Sequence, residues 1–66
     1  MKTEFDTRDF ERANGFDPEK STGEGAWAFQ AEGENEWFFS PACDFQEAKE
    51  WAQEQRPDCT DFSVGP

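Results

Sequence analysis

Carboxylates are the only reactive side chains this sequence holds in quantity: 16 Asp and Glu stand against 6 Lys and Arg, a formal charge of −10, and there is no histidine. Without imidazole the chain lacks the residue that most often moves protons near neutral pH and most often ligates metals. No Ser-His or Cys-His pair exists. Paired carboxylates can do general acid-base work, but 16 acids in 66 residues bring some pair together in any fold, so proximity selects none of them. A calcium loop fails on inspection. Asp17, Glu19 and Ser21 fit positions 1, 3 and 5 of an EF-hand-like loop, yet Thr22 stands where the turn needs Gly and Ala28 where a Glu must close the cage. The residues point to no catalytic centre, no cofactor and no metal site, and the chain is read as a non-enzyme.

Two cysteines, Cys43 and Cys59, permit one bridge. A helix over residues 44 to 55 would advance about 17 Å at 1.5 Å per residue. A disulfide spans Cα separations only up to about 7 Å. Two reduced, space-filling thiols are therefore expected.

Charge itself is then the candidate chemistry. Six scattered cations offer no basic face for nucleic acid or an anionic membrane, so neither is an expected direct ligand. A basic partner is expected, because −10 lies beyond the net charge of about 2 to 8 that suffices for solubility in a small domain. Two carboxylate groups stand out. Glu32, Glu34 and Glu36 alternate around a hairpin tip, where i, i+2 spacing on a strand is about 6.6 Å, near the separation of adjacent phosphates. Glu47, Glu50 and Glu54 follow i, i+3, i+7 and share one helix face. Arrays of Lys and Arg that read DNA match about one phosphate charge per 1.7 Å of axis, and a rigid carboxylate array can imitate it. Acidic solvent faces also simply keep small proteins soluble, which is the plain reading of any one Glu.

Positioning those groups requires a fold, and the apolar inventory is unusual. There is no Leu, Ile or Tyr; 8 Phe, 3 Trp, 7 Ala and Val64 must build the core. Each aromatic side chain buries about 150 to 250 Å², enough for a folded but marginal single domain over residues 1 to 66. No apolar run approaches the roughly 20 residues of a membrane span, and Met1-Lys2-Thr3-Glu4 does not open a signal peptide. A soluble, cytoplasmic protein is expected.

Residues 3 to 15 fit a short helix capped by Thr7 and ended at Asn14-Gly15, or equally an edge strand. Asp17 to Gly25 reads as turn and loop throughout, with no strand or helix. Ala26 to Ser40 reads as a central hairpin. A two-residue loop at Gly33-Glu34 would pair Phe29 with Phe38 and split the aromatics between faces. A three-residue loop over Gly33 to Asn35 pairs Phe29 with Phe39, Ala31 with Trp37 and Glu32 with Glu36. That second register gathers Trp27, Phe29, Trp37 and Phe39 on one face, with Asn35 left-handed, and is the expected one. Trp27, Trp37 and Trp51 should then all be buried. From Asp44 the period becomes helical: Phe45, Ala48, Trp51 and Ala52 form a stripe, Asp44 and Glu47 a capping box, and Arg56-Pro57 the stop. Cys59 to Val64 alternates as a last strand with Phe62 and Val64 inward. The expected class is α+β: a small antiparallel sheet (hairpin about 26–40, last strand about 59–64) with one helix (about 44–55) on its aromatic face.

Gly23-x-Gly25-x-Trp27-x-Phe29, then Trp37-Phe38, then Phe45-Gln46-Glu47-Ala48-Lys49-Glu50-Trp51-Ala52 resemble small proteins carried by phages and prophages, over about residues 10 to 55. Size, acidity and the helix-on-hairpin plan are similar to several phage anti-CRISPR proteins, including inhibitors of type I surveillance complexes. That resemblance implies a stoichiometric inhibitor in the host bacterial cytoplasm, a monomer that occupies the basic DNA-recognition surface of the complex, such as its large subunit, and blocks target DNA. It transfers no site residues. The alternative is an acidic antidote or regulatory protein that masks a basic toxin or DNA-binding protein; a virion structural protein, recognisable by self-association, is a third reading.

Overall fold

Residues 3–21 and 23–65 are described by a computed structural model; Met1, Lys2 and Thr22, which entered the readings of the N-terminus and of the calcium-like loop, lie outside them. In chain order the elements are β1 (Glu4–Asp6), α1 (Arg8–Asn14), a single 3₁₀ turn (Pro18–Lys20), β2 (Glu24–Gly25), β3 (Ala28–Ala31), β4 (Phe38–Phe39), β5 (Cys43–Asp44), α2 (Phe45–Gln55) and β6 (Asp61–Val64). The α+β class holds, with two helices instead of one.

Both readings of the N-terminal segment are realised in succession. Glu4 to Asp6 forms an edge strand, and α1 follows with Thr7 at its N-cap, whose hydroxyl donates to the Glu11 carboxylate at 2.8 Å. Gly15 ends α1 in the left-handed region at φ 78°, and its N–H closes onto the Glu11 carbonyl at 2.8 Å. The expectation of turn and loop throughout Asp17–Gly25, with no strand or helix, needs correction. Asp17 accepts the Glu19 N–H at 2.9 Å and Pro18, preset in φ, opens the 3₁₀ turn, while Glu24 and Gly25 pair antiparallel with Asp44 and Cys43. So short a ladder needs only extended backbone.

The main sheet has the order β1-β6-β3-β4. β6 runs antiparallel to β3 but parallel to β1, so the sheet is mixed and not antiparallel throughout. A parallel pair needs a long crossover, and everything from α1 to α2 supplies it.

The hairpin takes the register of the two-residue loop, not the expected one. Phe29 pairs with Phe38 and Ala28 with Phe39, and the ladder ends there. Residues 32–37 form a longer connection that starts with a tight turn: the Glu34 N–H donates to the Ala31 carbonyl at 3.0 Å, with Gly33 at φ 88° in the third position. Gly33, not Asn35, supplies the left-handed residue, since only Gly enters that region without strain. Glu32 and Glu36 therefore never face each other, and the Glu32 N–H is spent on the Asp61 carbonyl at 3.0 Å. Closing the turn with Gly33 avoids the like-charge pair that the three-residue loop would have imposed.

This register divides the aromatics. Phe29, with no exposed surface, is the hub of the core, its ring centroid 5.7 to 6.5 Å from those of Phe5, Phe38, Phe45, Trp51 and Phe62. Trp27 is buried between Phe10 and Phe45, with its indole N–H donating to the Cys43 carbonyl at 2.8 Å. Trp51 is half-buried. Trp37 and Phe39 are 40% and 65% exposed, correcting both the expected burial of Trp37 and the placement of Phe39 in the core.

Helix α2 is as expected. The Asp44 carboxylate accepts the Glu47 N–H at 2.9 Å, and Phe45, Ala48 and Ala52 are buried against the sheet. Alanine at the contact lets the helix approach the bulky rings closely. Buried Ser40 is satisfied: its hydroxyl accepts from the Trp27 N–H and donates to the Pro41 carbonyl, both at 2.9 Å. Cys43 and Cys59, one before α2 and one after it, are free thiols. Among the described residues no helix is long and apolar enough to cross a membrane.

Candidate partner-binding face

Alternation along the strands decides what the sheet presents on the side away from α2. Phe5, Phe29, Ala31, Phe38, Phe62 and Val64 point to the helix, so Glu4, Asp6, Ala28, Gln30, Phe39, Asp61 and Ser63 point the other way. Along it Glu4, Asp6, Phe39 and Asp61 are exposed and Ala28, Gln30 and Ser63 half-buried. The register lays it out in rows. Phe39 is opposite Ala28, which is bonded to Gly65 through the Gly65 N–H at 2.9 Å. Gln30, Ser63 and Asp6 follow in the next row, then Glu32, Asp61 and Glu4. One end is thus aromatic and the other acidic.

At the acidic end Glu4, Asp6, Glu32, Glu34 and Asp61 border one open groove with Arg8. Arg8 forks onto Asp6, with Nη2–Oδ2 at 2.8 Å and Nε–Oδ1 at 3.0 Å, and the Arg8 backbone N–H also donates to Oδ1 at 3.1 Å. These hydrogen bonds hold the Asp6 carboxyl down to about 2 and raise Arg8. Among the described residues, ion pairs engage only Asp6, Glu19 and Glu34, the last two with Lys49 and Arg56. No three acidic or thiol groups among them converge to hold a metal ion.

The two groups expected from sequence fare differently. Glu32, Glu34 and Glu36 are all exposed, but they lie on a turn and loop, so the strand spacing of about 6.6 Å does not describe them. Glu32 and Glu34 join the groove. Glu36 stands apart beside Trp37. Arg56 already neutralises Glu34, bonding Oε2 through Nε at 2.8 Å while its guanidinium lies 4.6 Å over the Phe38 ring. Glu47, Glu50 and Glu54 keep their helical spacing and are exposed on α2. Lys49 does not dilute that row, because it leans over Phe45 at 5.3 Å to reach Glu19 at 2.6 Å. Glu32 and Glu34 border the sheet, whereas Glu47, Glu50 and Glu54 lie on the helix.

Sequence reasoning missed Glu4, Asp6 and Asp61. Their signal was present, since Glu4-Phe5-Asp6 and Asp61-Phe62-Ser63-Val64 each alternate and an inward Phe forces its neighbours outward. Comparison of the chain with protein-family models, with curated proteins and with solved structures finds no match in any of the three.

Proposed function

We propose that this protein is a stoichiometric inhibitor that seats its acidic surface on a basic nucleic-acid-binding site of a partner protein and excludes the nucleic acid by imitating its charge. The observation that carries the reading is the sheet face away from α2, where Glu4, Asp6, Glu32, Glu34 and Asp61 border one groove and where, among the described residues, ion pairs engage only Asp6 and Glu34 of these five. Holding like charges together costs folding stability through self-repulsion, a cost that a basic partner relieves. Glu47, Glu50 and Glu54 supply a second row on α2. In the finest form of the proposal the partner is a type I CRISPR surveillance complex, the site is the DNA-recognition surface of its large subunit, and the setting is the host bacterial cytoplasm.

Exposed Trp37 and Phe39 favour a second reading, in which the protein is an antidote or regulator fitted to one basic toxin or DNA-binding protein. Interfaces specific for one protein are rich in aromatic anchors, whereas pure charge imitation needs none.

The test is capture of partners on the immobilised protein with washes of rising salt, followed by competition with duplex DNA. Retention should fall steeply with salt. Three Gln/Asn variants, at Glu32/Glu34/Glu36, at Glu47/Glu50/Glu54 and at Glu4/Asp6/Asp61, separate the surfaces. If all three retain the partner as well as the parent does, and DNA fails to compete, charge imitation is refuted.

A further inference from the structure

The aromatic end of the open sheet face carries a more specific assignment, which rests on the basic partner proposed above. β4 is an edge strand. The Phe29–Phe38 pair is followed by the Ser40 N–H on the Trp27 carbonyl at 2.8 Å, so Phe39 sits at the intervening, non-bonded position of the ladder. In an antiparallel pair such a residue turns its own N–H and C=O away from the neighbouring strand. The main chain of Phe39 is therefore open to another extended segment.

Beside that edge lies a prepared surface. A Cβ on Gly65 would meet Trp37 Cζ3 at 3.0 Å and the Ala28 methyl at 3.1 Å, so the Trp37 ring lies against Gly65, with Ala28 on the other side of that glycine's open space. Phe39 stands opposite Ala28 on the same face, and Glu36 precedes Trp37 with its carboxylate exposed. The patch thus combines an open strand edge and two aromatic side chains, and the residue just before Trp37 in the chain is an exposed carboxylate. The chain shows what such a combination binds. On the other face of β4, Arg56 lies 4.6 Å over Phe38 and bonds the Glu34 carboxylate at 2.8 Å.

We infer that Trp37, Phe39 and Glu36 receive an arginine side chain carried on an extended segment of the basic partner, which adds to the free edge of β4. Charge selects this occupant over a second copy of the chain, since two copies would bring −10 against −10. Arginine is preferred to lysine because its planar guanidinium stacks on aromatic rings and bonds a carboxylate at the same time.

The experiment is an NMR titration of the full chain, labelled with ¹⁵N, using the blocked pentapeptide Thr-Val-Arg-Val-Thr and its counterparts with lysine or citrulline in the centre. The arginine peptide should shift the Phe39 amide and the Trp37 indole signals and saturate at about tenfold lower concentration than the lysine peptide, with no saturation by citrulline. A Trp37→Ala/Phe39→Ala double variant should lose the response, and Phe39→Lys is a second variant in case the double one unfolds. Equal response to arginine and lysine, retention by both variants, or no response to any peptide overturns the assignment. So does a concentration-dependent dimer in sedimentation that Phe39→Lys dissolves, which would give the face to a second copy. None of these results bears on DNA competition for the captured partner, so failure here is distinguishable from failure of charge imitation.

Discussion

Phe38 and Phe39 are neighbours in a two-residue strand and should respond to the same substitution in opposite ways. Phe38 faces the core, 5.5 Å from Trp51, 6.0 Å from Phe29 and 6.2 Å from Phe62 between ring centroids, and it carries Arg56 on its ring. Burying half of about 200 Å² of aromatic side chain stabilises by about 2.5 kcal/mol at about 25 cal/mol per Å². The stacked guanidinium adds about 0.5 kcal/mol. Phe38→Ala also leaves a void among three rings, so its total cost should reach about 3 to 4 kcal/mol. Phe39 keeps 65% of its surface exposed and leaves no void. After allowance for what alanine still covers and for residual burial in the unfolded chain, Phe39→Ala should cost under about 1 kcal/mol. A chain of this length has about 3 to 10 kcal/mol of stability in all, so the first variant is close to unfolding and the second is close to the parent. Urea denaturation followed by tryptophan emission measures both. With a slope of about 1 kcal/mol per M, the two midpoints should differ by about 2 M. Equal midpoints, or a larger loss for Phe39→Ala, would refute the Phe29–Phe38 register and restore the alternative in which Phe39 lies in the core.

Asp44→Ala removes the N-cap of α2 and should cost about 1 kcal/mol, lowering the melting temperature by about 4 to 8 °C in a circular dichroism melt; an unchanged melt would mean that the helix start is held by Phe45 packing alone. Asp6 should titrate near 2 by carboxyl ¹³C NMR and return toward 3.8 in Arg8→Ala. Because the folded value is the depressed one, the pairing contributes above pH 3.8 and is lost as pH falls toward 2; an unchanged midpoint in the variant would refute the assignment to Arg8. Alkylation without reductant followed by mass spectrometry should modify both Cys43 and Cys59, and a recovered disulfide would place the two ends of α2 wrongly.

Local physics made several elements legible in the residues alone. Asp44 and Glu47 marked the start of α2 and Arg56-Pro57 its end, because capping and the steric restriction before proline act over a few residues of chain. The alternation in Asp61-Phe62-Ser63-Val64 specified which side of β6 would be buried, since a strand has only two faces. The acidity was equally plain, and with it the expectation of a basic partner. The hairpin register was not legible. Shifting it by one residue exchanges Phe38 for Phe39 in the core, and both are phenylalanine, so composition favours neither. Tertiary packing decided the matter: β6 lies against β3 and takes the Glu32 N–H, Phe29 needs Phe38 and Trp51 around it, and Gly33 closes the turn. The candidate face was hidden for a similar reason. Glu4 and Asp61 are separated by nearly the whole chain and become neighbours only because β1 pairs parallel to β6. A sequence read from one end to the other records spacing along the chain, whereas the charge a partner meets depends on which strands lie side by side.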